Sequence, residues 1–99
     1  MRSRAVGLAM ARNRDEHPLE HELNAERAAA LGRAGKRLET ALAALATSNR
    51  DLDLIDEAAT AAWYYMITRE SMRMFDHKSA FAIYGVPDYV LARVGVIRR

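Results

Sequence analysis

His17, Glu20 and His21 spell His-x-x-Glu-His, the spacing that inverted zinc peptidases use for two ligands and a base. Two histidines four apart on one helix can share a zinc ion, with the glutamate as base. Pro18 works against this geometry. It suits the first position of a helix, which makes His17 a cap outside the helix. At 99 residues the chain is also far smaller than a peptidase that builds a cleft. A milder arrangement survives. A chain folded back on itself brings His77 and Asp76 towards His21 and Glu22, with His17 nearby. Such nitrogen and oxygen donors suit zinc or nickel. Against it stands a solvated, polar helix start, which is the preferred reading. His17, His21 and His77 are therefore the metal candidates, and no cofactor is expected.

A second group lies on one helical stripe: Trp63, Met66, Ile67 and Met74, with Glu70 among them. If buried, Glu70 could act as an acid or base. No second catalytic group is evident beside it, and Ser71 and Ser79 belong to no legible Ser-His-Asp arrangement. The preferred reading pairs Glu70 with Arg33 or Arg73 at an interface. The apolar stripe itself reads as core or dimer contact before it reads as a pocket. Trp63, Met66, Glu70 and Arg73 are thus ligand or interface candidates. No catalytic residue is assigned, and the chain reads as non-enzymatic.

The elements that must position these residues are helices. Ala occurs 19 times, Gly five times and Pro twice, a composition of strong helix formers. Cysteine is absent, which removes disulfides, thiolate metal sites and cysteine nucleophiles. No apolar run approaches the roughly 20 residues that span a bilayer, so no membrane partner is expected.

The first helix begins near Pro18 and fades at Thr47-Ser48-Asn49. Leu31, Leu38 and Leu45 recur seven apart, with Ala34 and Ala41 between them, a coiled-coil-like seam. Gly32 and Gly35 sit inside it. They read as a notch where another helix crosses closely, or as a break into two helices. The stretch Gly32–Arg37 lacks the further glycine, the Ser or Thr and the preceding strand of a phosphate-binding loop. The second helix starts in the Asn49–Asp53 turn, capped by Asp51 or Asp53, and runs to about Phe75. Asp76 then caps a short helix over Lys78–Tyr84, with Gly85 just past its end. Pro87 opens a last helix that Gly95 closes.

The expected fold is all-α: a long antiparallel helical hairpin with two short C-terminal helices across it. Residues 17–97 form one domain and 1–16 a flexible basic tail. A first helix of about 28 residues is roughly 40 Å long and overhangs a domain of this size. The overhang and the uncovered Trp63–Met66 region point to a two-fold homodimer with a four-helix core. Folding about residue 49 or 50 sets Glu26 opposite Arg73.

Charge is unevenly spread. The net charge of +2 splits into +4 over residues 1–14, −5 over 15–92 and +3 over 93–99. A polyanion would meet the basic ends and not the acidic body. The Phe81–Leu91 stretch resembles a helix-turn-helix turn. Yet Phe81 stands where a small residue belongs, and Asp88 and Tyr89 crowd a helix whose one basic residue is Arg93. A nucleic-acid-binding or regulatory module is therefore the alternative and not the favoured reading. A second alternative is a metal- or small-ligand-binding bundle.

Several strings resemble one family. They are Leu19-Glu20-His21-Glu22, Ala30-Leu31-Gly32-Arg33-Ala34-Gly35, Asp56-Glu57-Ala58-Ala59 up to Trp63, Arg69-Glu70, and Tyr84-Gly85-Val86-Pro87 with Val90-Leu91 and Gly95. The family is one of small helical bacterial proteins classed as a domain of unknown function. The likeness covers residues 17–97. It implies a compact helical fold and a bacterial cytoplasmic setting, and it supplies no activity and no functional residue. The expectation is a small, non-enzymatic, self-associating structural or interaction protein.

Overall fold

A computed structural model describes residues 18–48 and 50–97. Their regular structure is all helical: α1 (Pro18–Thr47), α2 (Leu52–Glu70), α3 (His77–Tyr84) and α4 (Asp88–Ile97). This is the expected all-α fold, a long helical hairpin followed by two short helices. The basic segment 1–16 lies outside the described residues. None of the described helices is long and apolar enough to cross a membrane.

The hairpin forms where the seam of α1 meets a slender α2. Ala34, Leu38, Ala41 and Leu45 are buried at helical spacing on α1. Ala58, Ala59, Ala61 and Ala62 of α2 are all 0% exposed. Such a width of burial needs a neighbour on both sides, and α2 packs against α1 on one and against α4 on the other. Val90 and Val94 close the core from α4. Alanine at four successive contact positions lets three helices approach closely, and Leu38 and Val90 fill what remains.

Capping sets the hairpin turn. The Asp51 carboxylate accepts the Asp53 and Leu54 N–H groups at 2.9 and 3.3 Å. Those are donors that the first turn of α2 cannot satisfy itself. Two ion pairs then tie α2 to its neighbours. Arg37 of α1 donates to both Glu57 oxygens at 3.0 and 3.2 Å. Arg93 of α4 holds both oxygens of Asp56.

The expected pairing of Glu26 with Arg73 is not found. Glu26 meets Arg33 on its own helix at 3.5 Å. The cause is the end of α2. It stops at Glu70 instead of Phe75, because Arg73 adopts a left-handed backbone at φ 61°. The Met74 N–H donates to the Arg69 carbonyl and the Arg73 N–H to the Glu70 carbonyl, both at 3.0 Å. Those two bonds make a Schellman closure. Met74 and Phe75 are consequently exposed, and the apolar stripe ends before them.

α3 repeats the device with a glycine. Asp76 caps it through the Ser79 N–H, and Gly85 closes it at φ 70°. Gly85 thus stands where expected. Gly95 does not close α4, which continues to Ile97. Nothing there forces the backbone out of its helical path, and Gly95 costs propensity without ending the helix.

Gly32 and Gly35 leave α1 unbroken. The notch exists at Gly35 alone. A Cβ there would collide with the Tyr84 hydroxyl and lie 3.6 Å from the Tyr65 ring, whereas Gly32 has nothing within 4 Å. The side chains of Tyr84 and of Tyr65 on α2 fill the notch.

Candidate functional site

The sequence candidates do not converge. Trp63 is half-buried and packs on the core, and Met66 is buried within it. Glu70 is exposed and meets neither Arg33 nor Arg73. Its Oε2 lies 2.9 Å from His77 Nε2. Arg73 is an exposed turn residue. Early closure of α2 explains both departures, because it turns Arg73 out of the helix and brings the start of α3 back onto Glu70.

The metal arrangement is not assembled either. Among the described residues no group of three or more His, Asp or Glu side chains gathers for a cation. His21 is exposed near the start of α1. His77 faces Glu70, with its ring 6.3 Å from that of Phe81. His17 lies outside the described residues.

The structure assembles a different cluster. Arg69 is 8% exposed, the one buried charged side chain among the described residues. One of its guanidinium nitrogens, Nη2, donates to the Asp76 carbonyl at 3.0 Å. Its carbon Cζ stands 5.8 Å from the centre of the Tyr65 ring, one turn earlier on α2, within cation–π range. The Nε–H is buried and has no hydrogen-bond partner among the described residues. His77 Nδ1 shares that condition.

Tyr65 meets Tyr84 edge to face, with ring centres 5.1 Å apart and planes at 74°. The absent side chain of Gly35 makes room for the Tyr84 hydroxyl. Burial, then hydrogen bonding with Tyr65 and the nearby charges of Tyr65 and Glu39, raise the Tyr84 hydroxyl above the ordinary tyrosine value. The Tyr84 phenol is therefore neutral near pH 7. Arg69, Tyr65, Tyr84, Ala80, Ile83 and Glu39 line a cleft of about 360 Å³ between α1, α2 and α3. The arrangement offers one cationic donor, two aromatic faces, a short apolar wall and a carboxylate. It holds no nucleophile with an adjacent base.

Sequence reading missed this cluster because Arg69 reads as a helix-end cation. Arg69 follows Tyr65 by four and Ala62 by seven, which places it on the buried face. That periodicity was the available clue.

A second feature is the start of α1. Every described side chain from Leu19 to Ala29 is exposed, including Leu19 at 64% and Leu23 at 46%. The first buried residue of α1 is Ala34. The opening turns project past the end of α2 as an uncovered helix.

The family model described as a family of unknown function (DUF6665) matches residues 6–99. The match reaches further into the basic N-terminal segment than the likeness over residues 17–97. No curated protein and no solved structure matches the chain.

Proposed function

The chain belongs to that family, and we propose that it is a small non-enzymatic helical protein that pairs with a second copy of itself through the protruding start of α1. The exposure of Leu19 and Leu23 on turns that no other element covers carries this reading. Those leucines are four apart and share one face. A helix exposed all round is weakly held as a monomer, because helix stability in proteins comes mostly from packing an apolar face. A two-fold partner supplies that packing, residue against equivalent residue. Met74 and Phe75, just past the end of α2, are exposed as well.

The reading keeps the bacterial cytoplasmic setting that the family likeness implies. It also ranks nucleic acid below a second copy, since Arg93 on α4 is already engaged by Asp56. Comparing the wild type with a Leu19→Glu/Leu23→Glu variant by sedimentation velocity tests the proposal. The expected result is twice the 11.1 kDa chain mass for the wild type and a single chain mass for the variant. A wild type at single chain mass, or a variant that stays dimeric, overturns it.

A further inference from the structure

We propose that the cleft between α1, α2 and α3 binds a small monocarboxylate with an apolar body, its carboxylate held by Arg69. The first argument is the state of Arg69. A guanidinium that is 8% exposed has lost most of its hydration. In return, among the described residues, it makes one hydrogen bond, to the Asp76 carbonyl, and one contact with an aromatic face. Among the described residues no carboxylate forms an ion pair with it. The nearby Asp76 carboxylate serves the Ser79 N–H at the start of α3. A buried donor left unpaired is costly, and a buried charge more so. Core arginines that serve only the fold usually have their fork filled. Arg69 has a buried Nε–H to spare and lines an accessible cleft.

The second argument is the match between the cleft and one class of ligand. A planar carboxylate is the natural partner of a guanidinium fork. Tyr65, Tyr84, Ala80 and Ile83 offer a short apolar wall for the rest of the molecule. The 360 Å³ volume lies at the low end of small-molecule sites. Glu39 on the lining selects against phosphates and polycarboxylates, because a second negative charge would face it. The site uses neither Leu19 nor Leu23, so it stands or falls independently of dimer formation.

The test is a titration of the full-length protein with phenylacetate, phenylacetamide and inorganic phosphate, followed by NMR shifts of the Tyr65, Ile83 and Tyr84 signals. Phenylacetate is expected to saturate with a Kd of about 1 mM or tighter. Phenylacetamide keeps the ring and loses the charge, and should bind at least about tenfold more weakly. Phosphate should leave these signals unmoved. Two variants locate the site. Arg69→Gln removes the cation and should abolish saturation. Ile83 is 85% exposed, so Ile83→Glu adds a repelling charge at the mouth without disturbing the core. It should weaken phenylacetate at least about tenfold at unchanged thermal stability. Failure of phenylacetate to saturate overturns the proposal. So does equal binding of phenylacetamide, binding of phosphate at the same signals, or unchanged affinity in Ile83→Glu.

Discussion

The buried guanidinium of Arg69 holds the carbonyl of Asp76 at 3.0 Å, so the residue that caps α3 is fixed by the last turn of α2. The six residues between them carry the Schellman closure of α2. A second strap, Glu70 to His77, crosses the same turn. Replacing Arg69 by methionine keeps the stem volume and removes both the charge and the strap. The expected loss is about 1.5–3 kcal/mol, the range for a hydrogen bond to a charged group. Urea unfolding measures it. A gain in stability would show that the buried charge outweighs the strap.

The two αL residues should respond in opposite directions. Arg73 bears a side chain at φ 61°, and Arg73→Gly removes that strain for a gain of about 0.5–1 kcal/mol. Gly85 already has the residue its φ of 70° favours, and Gly85→Ala should cost about 1 kcal/mol. Thermal melts of the two variants check the pair. A common sign would contradict the closure assigned to α2.

Two glycines on one helix should also part company. Gly32 is exposed with nothing within 4 Å, and Gly32→Ala should add about 0.5–1 kcal/mol of helix propensity. Gly35→Ala gains the same propensity but drives a methyl into the Tyr84 hydroxyl. Its net effect should be lower than that of Gly32→Ala, with the Tyr84 environment altered in near-ultraviolet circular dichroism. Equal gains at both positions would refute the notch.

Acid should act through the α3 cap. The backbone and side-chain hydrogen bonds from Ser79, then the positive charges of Arg69 and His77, hold the Asp76 carboxyl below the usual carboxylate range. A depressed folded-state value means that its stabilisation is present above the unfolded value. It is lost as pH falls through the folded value, below about pH 4. Asp76→Asn keeps a capping oxygen and loses the titration. Its stability should fall less steeply than the wild type's between about pH 5 and pH 2. Identical acid limbs would contradict the assignment.

The core should be intolerant at Leu38, which has no exposed surface. Leu38→Ala opens a cavity between α1 and α2 and should cost about 2–5 kcal/mol. Chemical denaturation reads the loss directly.

Most of the fold is legible in the sequence, because its signals are local. The Leu31–Leu38–Leu45 seam, the Asp51 and Asp76 caps and Gly85 each specify an element or its end from nearby residues. The end of α2 is not legible. Its closure uses an arginine in a conformation that sequence reserves for glycine, and continuing apolarity through Met74 and Phe75 hides the stop. The site shows the same division. Glu70 looks buried by periodicity, yet the early turn exposes it and hands it His77. Arg69, one position earlier, looks like a solvated helix end. Its spacing from Ala62 and Tyr65 puts it on the buried face, but what covers it there is the Asp76 carbonyl and the α3 residues lining the cleft, a tertiary arrangement that spacing alone does not reveal.

The most direct measurement of self-pairing uses the absence of cysteine, which makes one introduced thiol unique. A spin label on Asn24→Cys sits beside Leu23 on the protruding turns of α1. Pulsed dipolar spectroscopy should show one defined intermolecular distance, lost in the Leu19→Glu/Leu23→Glu background. The absence of intermolecular coupling at this position in the otherwise wild-type protein would contradict pairing through the start of α1.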